Sequence, residues 1–296
     1  MENQIETDKL FELGKEAYEK EDYESALEFF TKAAETGNKQ AIKMLGIMYR
    51  DGKGIEQNSE KAINFFNKIG DWITIGEIYR NGIGVKQDGQ KAIEYFTKAK
   101  DWHSIGMIYR DGTGIEQNGQ KAIEYFIKSE DWIIIGVMYR DGKGIEQDGQ
   151  KAIEYFTKAE DWHSIGMMYR GGKGVEQDGT KAIECFKKAG NWYLIGMMYL
   201  DGIGIKQNGE KAIEYLSKAE DWDSIAKMYR DGVGVEQNGW QAIKFFTKTE
   251  AWNWICLMYR NGIGIRQDEK KAVEYLMNYL IKTEDWEGMA KLSQRH

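Results

Sequence analysis

The chain has 296 residues, a formal net charge of −7, 30% charged and 13% aromatic residues, and no proline. The aromatic content excludes a disordered chain, and the acidic balance excludes a general nucleic-acid binder, which carries a basic domain. No run of roughly 18 apolar residues occurs, so no membrane-spanning helix is expected.

Residues 1–40 are acidic and amphipathic, without the basic and apolar regions of a signal peptide. Residues 8–36 within them read as a helical hairpin that caps the N-terminal end of the array. From residue 41 to residue 280 a block of thirty residues repeats eight times in strict register. Units of that size cannot bury their apolar faces alone and must stack into one continuous core. The expected fold is all-α: a right-handed α-solenoid of about nine stacked helical hairpins, forming a single repeat domain over 1–296. Residues 281–296 then supply a C-terminal cap, with a helix over 285–294. The absence of proline suits a chain that is helical nearly throughout.

The unit 101–130 shows the local logic. Asp101 is a good N-cap, Trp102 opens a short helix ending at Arg110, and Gly112 is a left-handed stop. A loop, 112–118, leads to Asn118, which caps a second helix over 120–129. That cap slot holds Asn58, Asp88, Asn118, Asp148, Asp178, Asn208, Asn238 and Asp268, only Asn or Asp. Trp102, Ile105, Gly106 and Tyr109 follow helical spacing and predict the buried stripe of the first helix. Gly106 leaves room for a neighbouring helix. Ala122, Ile123, Tyr125 and Phe126 predict the stripe of the second, ended by a small residue at Ser129. Glu124 and Lys128 form a solvated pair on the outer face, as do Glu94/Lys98, Glu154/Lys158, Glu184/Lys188 and Glu214/Lys218. The last unit departs from the pattern at Ala251, Trp254, Cys256 and Glu269, and its second helix is expected to run through Tyr279 towards Lys282.

The two cysteines, Cys185 and Cys256, lie more than two units apart, about 20 Å at the usual spacing of packed helices. That is too far for a disulfide, so both read as buried free thiols, which points to a reducing compartment, the cytoplasm.

Leu45, Gly46, Tyr49, Gly52, Gly54, Ile55, Asn58, Lys61, Ala62 and Phe66 make a pattern that resembles the Sel-one-like repeat, a subclass of tetratricopeptide-like helical repeats. The N-terminal hairpin, through Leu13, Gly14, Ala17, Tyr18, Tyr23, Ala26 and Ala33, looks like a plain tetratricopeptide unit. The family's unit is usually about six residues longer, and only the junction before residue 41 has that form. Trp72, Trp102, Trp132, Trp162, Trp192, Trp222 and Trp252 stand where the turn was lost, and a large aromatic can replace its apolar area. The resemblance implies scaffolding, adaptor work, or interactions between bacteria and hosts or other bacteria, and no catalysis within the repeats.

Opposite the buried stripe, the first helices carry His103, Met107 and Arg110. In related solenoids these helices line the concave surface. The arginine recurs as Arg50, Arg80, Arg110, Arg140, Arg170, Arg230 and Arg260, interrupted at Leu200. Two neighbouring slots vary most between units. One holds Ile73, His103, Ile133, His163, Tyr193, Asp223 and Asn253; the other holds Glu77, Met107, Val137, Met167, Met197, Lys227 and Leu257. Variable positions on a constant frame are how a repeat protein encodes a partner. The candidate contact set is Arg80, His103, Met107, Arg110, Ile133, Val137, Arg140, His163, Met167, Arg170, Tyr193, Met197, Lys227 and Arg230. Arginine suits bidentate capture of carboxylates and methionine adapts to irregular apolar surfaces, so the expected partner is an acidic, partly apolar peptide or protein face. A structural role also fits: a basic residue in a helix's last turn favours the macrodipole, and Asp51, Asp111, Asp141 and Asp231 stand ready to pair with it.

The loop 141–148 lacks the alternating oxygens of an EF-hand and the Lys-Ser/Thr ending of a phosphate loop. His103 and His163 lie two units apart and cannot share a zinc ion. No catalytic set converges, so no enzyme, metal or cofactor is expected, and neither nucleic acid nor membrane is the expected partner. The favoured function is a cytoplasmic protein-interaction scaffold or adaptor. An immunity-type protein that neutralises a toxin, or a secreted effector that engages a host protein, are the alternatives; a neighbouring toxin gene favours the first and dependence on a secretion apparatus the second.

Overall fold

A computed structural model describes residues 2–285, with side chains from residue 6. The chain divides into two compact units, Met1–Tyr155 and Phe156–His296, with the boundary inside the helix Gly149–Lys158. Among the described residues there are eighteen α-helices, from Glu2–Glu19 to Glu269–Lys282, paired as hairpins. This is the all-α architecture of a repeat solenoid. The terminal hairpin is Glu2–Glu19 with Tyr23–Glu35, and the last helix reaches Lys282 as expected. The capping helix expected over 285–294 lies outside the described residues.

Each repeat folds from local signals. The helix Trp102–Asp111 starts at Asp101, whose carboxylate accepts from the Ser104 amide, and stops at Gly112 with φ 68°. A side chain at that φ crowds its own carbonyl, so glycine is the economical stop. The partner helix Gly119–Lys128 starts at Asn118, whose side chain accepts from the Lys121 amide at 2.9 Å. The same slot caps through Asp88, Asp148, Asp178, Asn208, Asn238 and Asp268. Each such cap stabilises by about 1 kcal/mol.

Packing then joins the helices. A Cβ on Gly106 would lie 2.7 Å from the Phe126 ring, so the glycine is what lets that ring seat between the two helices of its hairpin. The other side of Phe126 meets Ile135 and Met138 of the next repeat. Phe66, Phe96, Phe126, Phe156, Phe186 and Phe246 are all fully buried. Each contributes about 2–3 kcal/mol of apolar burial. The core therefore continues from the second helix of one repeat into the first helix of the next.

The structure corrects several expectations. Ile105, Gly106 and Ile108 are the fully enclosed positions of the first helix, whereas Trp102 and Tyr109 are only half-buried. Their rings stack on the two faces of Tyr125, with centroids 6.2 and 5.7 Å away. Tyr125 is likewise half-buried. The slot after the second helix is no core position: Ser129 is half-buried and Ala189 exposed. The Glu/Lys pairs close at Glu94–Lys98 (2.9 Å) and Glu214–Lys218 (2.7 Å), while Lys128 lies over the Trp102 and Tyr125 rings. Cys256 is buried, but Cys185 is half-buried; both are free thiols whose pKa burial pushes up.

The tryptophan helices are one turn short, as the long junction shows. The first helix there, Lys39–Asp51, has 13 residues, against 10 in Trp72–Asn81. One conformational feature was not foreseen. The connector after each second helix turns through a left-handed residue, glycine at Gly70 and Gly190 but Lys100, Glu130, Glu160, Glu220 and Glu250 elsewhere. A residue with a Cβ is disfavoured there by about 1 kcal/mol.

Candidate partner-binding face

The variable slots lie on the accessible side of the first helices. In the first unit Ile133 is 51% exposed and His103 is exposed, with Met107 and Val137 half-buried beside them. In the second unit Tyr193 is 46% and Met167 40% exposed, His163 and Lys227 are exposed, and Met197 is half-buried. Exposed apolar and aromatic side chains thus recur on a frame whose buried residues hardly change.

Several of these side chains are already engaged. His103 Nδ1 is 2.9 Å from Asp131 Oδ2 of the next repeat, and Asp131 also accepts the Ser129 hydroxyl. Asp131 makes no side-chain cap to its own helix. His163 Nδ1 is 3.3 Å from the side-chain Nδ2 of Asn191. Lys227 pairs with Asp223 one turn earlier.

The arginines are half-buried, except for the exposed Arg260, and those followed by aspartate use their forks internally. Arg110 Nε and Nη2 donate to the two oxygens of Asp111 at 2.8 and 2.7 Å, and Lys143 Nζ of the next repeat adds a contact at 3.2 Å. The Arg110 hydrogen bonds hold the Asp111 carboxyl below the usual carboxylate range, against burial, with Lys143 helping. Arg50–Asp51 (2.7 and 2.9 Å) and Arg140–Asp141 (2.9 and 2.7 Å) repeat the bidentate geometry. Arg80 has no following acid; it reaches Asn81 at 3.3 Å and Glu77 at 3.8 Å, with its guanidinium over the Phe96 ring. In the second unit Arg230 pairs with Asp231 at 2.7 and 2.6 Å and lies 4.3 Å from the Trp254 ring centroid. Arg170 is followed by Gly171. Its Nε is buried and has no acceptor among the described residues. It lines a cavity of about 250 Å³ with Met167, Gly171 and Ile203.

Sequence reasoning missed a glutamine that braces the rungs from Arg50 to Arg230. Gln117 Nε2 donates to the Arg110 carbonyl at 2.7 Å, and Gln57, Gln87, Gln147, Gln177 and Gln237 do the same for Arg50, Arg80, Arg140, Arg170 and Arg230. Gln207 serves Leu200, so the bond fixes the helix end rather than the arginine side chain. The signal is present in the sequence: the glutamine recurs seven residues after the arginine slot, inside a loop whose glycines draw the eye first. Among the described residues no group of three or more His, Cys, Asp or Glu side chains is placed to hold a metal ion. No described helix is long and apolar enough to cross a membrane.

Comparison with known proteins places these repeats. A family model described as the Sel1 repeat matches nine times, at residues 10–38, 39–71, 75–101, 103–131, 134–161, 163–191, 193–221, 225–249 and 250–276. The first match includes the N-terminal hairpin, which resembles a plain tetratricopeptide unit in sequence. A Sel1 repeat protein from Oxalobacter formigenes is similar in fold, with TM-score 0.53 and 21% identity, covering 99% of this chain and 88% of that one. Another similar structure is c5321, a protective antigen present in uropathogenic Escherichia coli strains and displaying an SLR fold. It has TM-score 0.48 and 21% identity, covering 92% of this chain and 76% of its own. No curated protein matches the chain.

Proposed function

This chain belongs to the Sel1 repeat family, and we propose that it is a non-catalytic scaffold or adaptor that holds a protein partner along the exposed face of its first helices. The observation that carries this reading is the contrast between slots. Phe126 and Phe186 are fully buried and alike, whereas the accessible positions change from Ile133 (51% exposed) to Tyr193 (46% exposed). Large exposed apolar and aromatic side chains mark interaction surfaces when they cluster. Arg170, whose fork no neighbouring aspartate fills, favours a carboxylate, so the partner we propose is an acidic protein or peptide, with neither nucleic acid nor membrane involved. The free thiols of Cys185 and Cys256 favour a reducing, cytoplasmic setting.

The test is a purified partner obtained by affinity capture from native lysate. Its affinity is measured against the wild type and against a triple variant, His103→Ala, Ile133→Ala and Tyr193→Ala. These side chains are exposed, so helical circular dichroism should be unchanged. Loss of about tenfold or more in affinity is expected, since interface aromatics carry much of the binding energy. Equal affinity in the folded variant, or recovery of self-associated chain alone, would remove the reading.

A further inference from the structure

The Arg170 rung differs from the Arg110 rung in two places at once. In the Arg110 rung a carboxylate sits between the arginine fork and Lys143 of the following repeat. In the Arg170 rung the acid position is Gly171, and the position equivalent to Lys143 is Ile203. Both internal partners of the charge cluster are therefore gone, while the arginine remains. Beside these positions lies an open pocket of about 250 Å³ lined by Met167, Arg170, Gly171 and Ile203. A Cβ on Gly171 would meet nothing within 4 Å. Arg170 Nε, the group that in Arg110 and Arg230 donates to the neighbouring aspartate, is covered and has no acceptor among the described residues.

We propose that the Arg170 rung is an open carboxylate site, which receives an aspartate or glutamate side chain of a protein partner while Met167 and Ile203 pack on the aliphatic residue beside it. The proposal rests on the partner-binding reading above and names the chemistry of one site on that face. A side-chain carboxylate is the fitting occupant because the vacant position is that of an aspartate side chain in the sister rungs, met by the same Nε and Nη2 fork. An unmet donor in a covered position is unfavourable, and a carboxylate is the acceptor that matches the guanidinium bidentately. Isoleucine in place of lysine makes the far wall apolar, so the residue next to the acid meets hydrocarbon. The pocket can adapt to its occupant, because Met167 in its lining is 40% exposed and methionine turns about three flexible bonds.

The test uses the full chain with nitrogen-15-labelled arginine, with NMR of the Nε–H resonances as the readout. Acetyl-Leu-Asp-Leu-amide is titrated in, with acetyl-Leu-Asn-Leu-amide as the uncharged control. The Arg170 resonance, assigned by its loss in Arg170→Gln, should shift saturably with the aspartyl peptide, and the asparaginyl peptide should bind about tenfold or more weakly. Gly171→Asp restores the internal acceptor seen at Asp111 and Asp231, so it should abolish the shift while leaving the helical circular dichroism intact. If Gly171→Asp is misfolded, Arg170→Gln with the peptide affinity read by calorimetry carries the same decision. No saturable shift, equal binding of the two peptides, or unchanged binding to Arg170→Gln or to folded Gly171→Asp would overturn the site. If the peptide fails while a captured partner still depends on His103, Ile133 and Tyr193, only this site falls. If the peptide binds but no partner depends on those residues, the site stands and the broader function falls.

Discussion

The repeats 101–130 and 161–190 share the helix opening Trp-His-Ser-Ile-Gly-Met and the buried phenylalanine, yet differ where chemistry is exposed. In the first, Tyr125 lies between Trp102 and Tyr109; in the second, Cys185 stands in the tyrosine's place and Lys188 lies 4.0 Å from the Trp162 ring centroid. The first closes its arginine with Asp111; the second leaves Arg170 beside Gly171. The first turns onward through Glu130 at φ 58°, the second through Gly190 at φ 66°. The lesson is that the frame and the surface are separable. Phe126 and Phe186 are equally buried in the two repeats, so the same core residue underlies different chemistry.

The comparison breaks if the two frames differ in strength. Phe126→Ala and Phe186→Ala should each destabilise by about 3–5 kcal/mol, and by similar amounts, in urea unfolding monitored by circular dichroism. A much smaller effect in one repeat would show that its core is not equivalent. The aromatic stack is the next largest difference. Tyr125→Cys should cost about 1–2 kcal/mol, and Cys185→Tyr should recover part of that in the sister repeat, read from shifts in melting temperature. The connectors come third: Glu130→Gly should stabilise by about 1 kcal/mol, and Gly190→Glu should destabilise by about as much. Opposite signs at the two sites are expected because both positions hold the same left-handed turn.

The smallest effect is on pH dependence. Asp111 has a folded-state pKa below its unfolded value, through the Arg110 hydrogen bonds and Lys143 against burial. Its stabilising contribution is therefore present above the unfolded value, near 3.9, and is lost as pH falls through the folded value. Asp111→Asn should flatten the acid side of the stability profile below the unfolded carboxylate value, while Gly171→Asp should steepen it. Acid titrations of the melting temperature will show whether the paired rung alone responds.

Much of this fold is legible in the sequence. The thirty-residue period, the Asn/Asp caps and the left-handed Gly112 are read directly because each depends on a few adjacent residues. The candidate face is legible as a set of variable slots, and those slots are accessible. What cannot be read is which side chains are already occupied. His103 meets Asp131, and Asp111 meets Lys143, each across the junction to the next repeat. Trp102 and Tyr109 look like core residues in sequence because periodicity reports the face a residue shares, not how deeply it is enclosed. Cys185 looks buried for the same reason.

The sequence by itself determined the repeat length, the helix pairs and their ends, because helix capping, backbone φ and apolar spacing act over a few residues. The sequence also placed an aspartate beside Arg50, Arg110, Arg140 and Arg230, and the structure closes those pairs; only the tertiary structure decided what the following repeat adds, Lys143 on Asp111 and the Ile203 wall beside Arg170. Arg110 and Arg170 occupy the same slot in the same pattern. One is closed by a neighbouring carboxylate braced from the next loop, and the other borders a cavity with its Nε unmet.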